Sequence, residues 1–247
     1  MCQTVQQPSK TQDVQENKFP HVLENIKEIC YNVENAAAKY RKSDEKIRIM
    51  AVTKTVEPEK INFAVSQGIT LLGENRVQEY LSKKDSYDKS AEVHFIGRLQ
   101  TNKVKYIIND VTLIQSVDSI KLAKEINRLA EKNDKIMNVL VEINIGDEAS
   151  KSGVSPAALY ELLEEISLLD NVAVKGLMAI PPVGCGEEVF ERMHEIFLGV
   201  KERSIPRVSM DILSMGMSGD YVTAIKHGSN LVRIGTKLFG ARNYLEG

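Results

Sequence analysis

The chain has 247 residues and a mass of 27.6 kDa, with 43% hydrophobic residues, enough for a sizeable core and about the length of one α/β barrel. Its 32 Lys+Arg and 34 Asp+Glu leave a net charge of −2, which argues against a nucleic-acid-binding surface, because such surfaces carry a basic excess. Cys2, Cys30 and Cys185 are far apart with no CxxC pair, against a disulfide framework or cysteine zinc site, and no apolar run reaches the ~18 residues that span a bilayer.

Residues 1–16 are polar and aperiodic, without the apolar core of a signal peptide; they predict a flexible tail on a cytoplasmic protein with no membrane partner. Val22, Leu23, Ile26, Ile29, Cys30, Val33 and Ala37 recur at helical spacing and predict an amphipathic helix over 17–42. Short apolar or β-branched runs then predict strands at 48–53, 69–72, 93–97, 112–117, 138–145, 172–179, 210–214 and 231–235. Helix-period segments fall between them at 57–67, 75–83, 100–108, 119–132, 155–168, 187–203 and 219–227. Strands alternating with helices imply right-handed βαβ units and a parallel sheet. Eight of them predict a closed (β/α)8 TIM-type barrel with an extra N-terminal helix, one domain over 17–247. An open doubly wound sheet is the alternative, but its GxGxxG after the first strand is absent.

Barrel sites lie at the C-terminal ends of the strands, with phosphates commonly held after strands 7 and 8. There the chain reads Leu213-Ser214-Met215-Gly216-Met217-Ser218-Gly219 and Leu231-Val232-Arg233-Ile234-Gly235-Thr236. Small residues let a ligand approach the backbone, and the hydroxyls of Ser214, Ser218 and Thr236 supply donors, so the two ends together predict a phosphate cup; either alone is equally well a turn. At the end of strand 1, Lys54 shares a face with Met50 and Val52. Strands 1 and 8 are neighbours in a closed barrel, so Lys54 is expected to face the cup. Apolar neighbours and a nearby cation, Arg233, lower a lysine's pKa, as a Schiff-base lysine requires. Arg233 interrupts an apolar strand and needs a partner, either a core carboxylate or a ligand.

These stretches resemble the pyridoxal 5′-phosphate homeostasis proteins, single-domain relatives of the barrel domain of alanine racemase. The resemblance is carried by AVTKT (51–55), GENRVQE (73–79), HFIGRLQTNK (94–103), INIGDEASKSG (143–153), GLMAIPP (176–182), LSMGMSGD (213–220) and VRIGTKLFGAR (232–242). It implies a barrel that binds pyridoxal 5′-phosphate as a covalent aldimine on Lys54 and takes part in vitamin B6 balance. It further implies Arg233 opposite the pyridine nitrogen; Ser214, Gly235 and Thr236 on the phosphate, with Ser218 and the Met215 backbone nearby; and Asn75 lining the cofactor. An arginine only donates hydrogen bonds, so a ring nitrogen facing it stays unprotonated and is a weak electron sink. Few residues remain after the barrel to supply a second base. The expectation is therefore a monomeric carrier that serves pyridoxal phosphate-dependent apo-enzymes rather than an efficient catalyst. An amino-acid racemase and a Schiff-base aldolase are the competing classes.

The histidines His21, His94, His194 and His227 show no metal-binding spacing, and His94 reads as structural or near the pocket mouth. Arg98, Lys103 and Lys105 form a basic run that is either a solvated helix face or a docking patch. Lys151 is either a second anchoring lysine or a surface residue.

Overall fold

The computed structural model describes residues 18–146, 148 and 152–241. The predicted tail at 1–16 and Lys151 lie outside the described residues. Eight strands follow in chain order: β1 (Arg48–Val52), β2 (Leu71–Glu74), β3 (Glu92–Phe95), β4 (Leu113–Val117), β5 (Met137–Ile143), β6 (Val172–Ala179), β7 (Val208–Ser214) and β8 (Leu231–Ile234). Each pairs in parallel with the next, and β8 pairs in parallel with β1, closing the barrel. The expected (β/α)8 architecture is thus the observed one.

Alternation along the strands separates two cores. Met50, Leu71 and Leu231 form one apolar group inside the barrel, and Leu113, Leu140 and Met178 another. The intervening residues, such as Ala51, Leu72, Ile114, Val139 and Val232, face the surrounding helices. Those helices are α2 (Pro58–Ser66), α3 (Val77–Lys83), α4 (Ile120–Lys132), α5 (Leu159–Ser167), α6 (Glu187–Lys201), α7 (Tyr221–Lys226) and the single turn α8 (Thr236–Phe239). The N-terminal helix α1 (Pro20–Tyr40) starts on a proline whose fixed φ suits a first turn. It buries Val22, Ile26, Ile29, Val33 and Ala36. Asn25 donates to the Leu238 carbonyl at 3.0 Å and Asn32 to the Tyr221 hydroxyl at 3.0 Å, so α1 straps α7 and α8 beside the closing strand.

Three segments differ from the sequence expectation. The helix expected over 100–108 is a 3-10 helix, Thr101–Tyr106. Its period of three puts Val104 and Ile107 on one buried face, which a short β3–β4 connection can satisfy without full α turns. The helix expected over 155–168 opens with a 3-10 turn, Pro156–Ala158, in which Ser155 Oγ accepts from the Ala158 N–H. The turn α8, Thr236–Phe239, directly after Gly235, falls where the sequence predicts no element.

Candidate functional site

β1 points Met50 and Val52 into the barrel, and Lys54 follows two residues on, just past the strand end. The segment around Lys54 is clamped from behind. The Thr53 N–H and hydroxyl both reach the Gly73 carbonyl, at 3.2 and 3.1 Å, and the same hydroxyl lies 2.5 Å from Glu74 Oε1. Lys83 Nζ donates to the Thr53 carbonyl at 2.9 Å and to Glu79 at 2.8 Å, and Glu79 accepts from the Thr55 N–H at 2.5 Å. Tyr87 also donates to Glu74. Burial raises the Glu74 pKa against these hydrogen bonds. Burial opposes the charge on Glu79 too, yet the Lys83 and Thr55 hydrogen bonds hold its carboxyl below the ordinary value. Thr55 sits at φ +60°, so the chain turns sharply here and leaves Lys54 half-buried at the barrel mouth.

Across the β1–β8 seam, Lys54 shares a crevice of about 20 Å³ with Val52, Val56, Gly235, Thr236 and Phe239. Ser218 Oγ accepts from the Gly235 N–H at 3.3 Å and the Lys237 N–H at 3.2 Å. One hydroxyl oxygen thereby draws two backbone donors to one point beside Thr236, which is exposed.

Arg233 lies inside the barrel, 4% exposed. Its Nη1 donates to Ser214 Oγ at 2.7 Å and its Nη2 to the Ala179 carbonyl at 2.8 Å, two of the five N–H donors a guanidinium carries. Its direct partners are a hydroxyl and a carbonyl rather than a carboxylate. Burial draws its pKa down to about 10, partly offset by the charge of Glu142, so it stays protonated at neutral pH. Glu142 is itself buried on β5, where burial raises its pKa and Ser152 donates to it at 2.9 Å.

A hydrogen-bonded chain descends from Arg233 through the barrel interior. Ser214 donates to Gln115 Oε1 at 2.7 Å, and Gln115 Nε2 meets His94 Nδ1 at 2.9 Å. His94 Nε2 meets Glu92 Oε1 at 2.8 Å, and Arg48 donates to the other Glu92 oxygen at 2.5 Å. His94 donates to Glu92, whose carboxyl it holds down at about 2, so the imidazole hydrogen sits on Nε2 and Nδ1 accepts from Gln115. Every hydrogen then points the same way, from Arg233 towards Glu92.

The structure thus gathers Lys54, Gly235 and Thr236 at one crevice, with Ser218 bonded to its backbone. Ser214 is separated from that group: its hydroxyl is fully buried, supports Arg233 from below and gives its hydrogen to Gln115. Met215 is buried on the helix side, and its carbonyl accepts from Ser229 Oγ at 2.8 Å. Asn75 borders a second, larger cavity with Arg98. His94 lies within the barrel, with its ring linked to Glu92 at the start of β3 rather than to the mouth. Arg98, Lys103 and Lys105 lie on the β3–β4 connection rather than on a full helix. The sequence reading missed Gln115, Glu142 and the Ala179 carbonyl as supports of the site, while His94 had been read as structural or near the mouth. The two missed side chains carry the signal that flagged Arg233, a polar residue inside an apolar strand.

Residues 25–243 match the family model described as alanine racemase, N-terminal domain. A pyridoxal phosphate homeostasis protein of Aquifex aeolicus is 42% identical over 91% of this chain and 100% of its own length. The chain belongs to the pyridoxal phosphate homeostasis protein family. Among solved structures, a protein of unknown function from Bifidobacterium adolescentis superposes with a TM-score of 0.85 at 30% identity, covering 93% of this chain and 98% of that one. PipY of Synechococcus elongatus, whose structure has pyridoxal phosphate bound, superposes with a TM-score of 0.77 at 27% identity over 89% of this chain and 100% of its own. Family membership places this barrel beside the alanine racemase domain, as the motifs at 51–55 and 213–220 imply.

Proposed function

We propose that this protein binds pyridoxal 5′-phosphate at the barrel mouth, retains it covalently through Lys54, and serves vitamin B6 balance as a carrier. The observation that carries this reading is one crevice joining a half-buried lysine at an apolar strand end to the Gly235 and Thr236 turn. The donor set fits the group. A phosphate ester needs N–H and hydroxyl donors, which Gly235, Thr236, Lys237 and Ser218 supply. An aldehyde needs a primary amine, and a ring nitrogen needs a donor, which the unused N–H groups of Arg233 provide. When bound, the cofactor supplies reversible condensation of its aldehyde with amines. Asn75 borders the ring from the β2 side. Ser214 positions Arg233, and Met215 acts through its backbone by holding Ser229.

Two points favour a carrier over a catalyst. Arg233 remains charged at neutral pH and can only donate, so the ring nitrogen it faces keeps no proton and draws electrons weakly. The curated relatives, including those of Aquifex aeolicus and Escherichia coli, are named for homeostasis. The recipients of the cofactor are pyridoxal phosphate-dependent apo-enzymes of the cytoplasm. The protein acts as a monomer, in keeping with exposed apolar side chains that are scattered over separate elements, such as Tyr31, Ile136, Leu168 and Val183.

Borohydride reduction of the loaded protein followed by peptide mass spectrometry tests the covalent link. The expected result is a pyridoxyl group on Lys54 and loss of the yellow colour in Lys54→Ala. A label on a different lysine overturns the assignment. Robust racemisation of amino acids by the purified protein, abolished in Lys54→Ala, overturns the carrier reading.

A further inference from the structure

A second cavity at the mouth is larger than the lysine crevice. It measures about 550 Å³ and opens over the ends of β2, β3 and β4, where Arg76, Arg98 and Lys103 line it against one carboxylate, Asp118. Among the described residues, none of the three cations forms an ion pair. Three positive charges and one negative leave a local charge of about +2 in a chain whose net charge is −2. Asn75, Thr101 and Ser119 add polar groups to the same walls. Helix α4 opens onto the cavity with no acidic residue in its first turn and no side-chain cap, so its positive end adds to the field.

Like charges gathered in one concave space repel unless a guest neutralises them. The volume lies in the range of small-molecule sites, roughly 300–1,000 Å³, and exceeds what a single inorganic ion fills. We propose that this cavity is a second ligand site, for a small organic dianion such as a dicarboxylate or a phosphate monoester. Its complement is a pair of anionic groups, one for the two arginines and one for Lys103, with Asp118 disfavouring monoanions that bring too little charge. The site shares no lining residue with the lysine crevice, and its existence does not depend on the cofactor reading.

The test is titration calorimetry on the full-length protein, at constant ionic strength, with succinate, glycerol phosphate and acetate as probes. Saturable binding of succinate or glycerol phosphate, absent for acetate, is expected. Arg98→Gln with Lys103→Gln should weaken it at least tenfold. Arg98 is exposed and Lys103 half-buried at the cavity rim, neither in an ion pair among the described residues, so the double variant should keep the wild-type melting temperature and its uptake of pyridoxal phosphate. Whichever dianion binds tighter identifies the guest as carboxylate or phosphate. The proposal is overturned if neither dianion saturates. It is overturned equally if binding survives the double substitution but is lost in Ser218→Ala, which would place the anion in the lysine crevice. Failure of cofactor uptake with intact, Arg98-dependent dianion binding would count against the carrier reading alone.

Discussion

A methyl group at position 97 would stand 2.0 Å from the Asn75 carbonyl oxygen, so the turns after β2 and β3 pack together only because residue 97 is glycine. The obstruction is backbone, which cannot swing aside as a long side chain can. Gly97→Ala is expected to lower the urea midpoint by an amount equivalent to about 1–3 kcal/mol, and to loosen the Asn75 wall of the larger cavity. An unchanged midpoint would mean that the two turns separate at no cost. Nothing in the sequence marks Gly97 as a point of close packing, because a glycine's close neighbours come from distant chain segments. Lys54 and Arg233 were more legible, since each breaks an apolar alternation at a strand end that barrel topology assigns to chemistry. Ser214 was harder to read for a related reason. Its position at the end of β7 was visible, but whether its hydroxyl faces the mouth or supports Arg233 depends on what β4 places opposite.

That dependence is a property of elements. Strands β8, β7, β4 and β3 contribute Arg233, Ser214, Gln115 and His94 in turn to one hydrogen-bonded line. Gln115 sits at the centre of the line, donating to His94 and accepting from Ser214. Gln115→Leu keeps the volume close but leaves His94 Nδ1 without a donor and the Ser214 hydroxyl without an acceptor. Each orphaned buried group costs about 1–3 kcal/mol, so the variant should melt well below wild type. It should also hold pyridoxal phosphate less tightly, because Arg233 loses the partner chain that fixes its Nη1. Equilibrium unfolding and cofactor dissociation measured on the same preparation check both effects; a loss of stability with unchanged cofactor retention would confine the line to a structural role. The strands that carry these residues were read at their observed places within a few residues, because period-two burial is a local signal. The 3-10 helix Thr101–Tyr106 and the turn α8 were not, since hydrogen-bond period in so short a segment is set by the strands it must join.

On the scale of the whole molecule, the line runs from the mouth to the opposite end of the barrel, where Arg48 and Glu92 close it. It tolerates one protonation state. A proton on His94 Nδ1 would face the Gln115 amide hydrogens, so the folded protein keeps His94 neutral. Burial pushes its pKa below the ordinary 6.5, against the pull of Glu92. In the unfolded chain the same imidazole titrates near 6.5. As pH falls through that value, the unfolded state takes up a proton that the native state refuses, so stability declines with a slope of up to about 1.4 kcal/mol per pH unit for one such group. His194 is shifted downward too, chiefly by burial and then by Arg41, and adds to the same decline. Glu92 acts later. Its folded pKa of about 2 lies below the ordinary 4.5, so its stabilisation is complete above 4.5 and is lost as pH falls towards 2. Urea midpoints between pH 7.5 and 5.0 should therefore fall less steeply in His94→Gln than in the wild type, the remaining slope being set by His194 against the upward-shifted buried carboxyls Glu74 and Glu142. Parallel slopes in the two proteins would show that His94 is protonated in the native state, and the one-way order of the barrel's hydrogen bonds would have to be reversed.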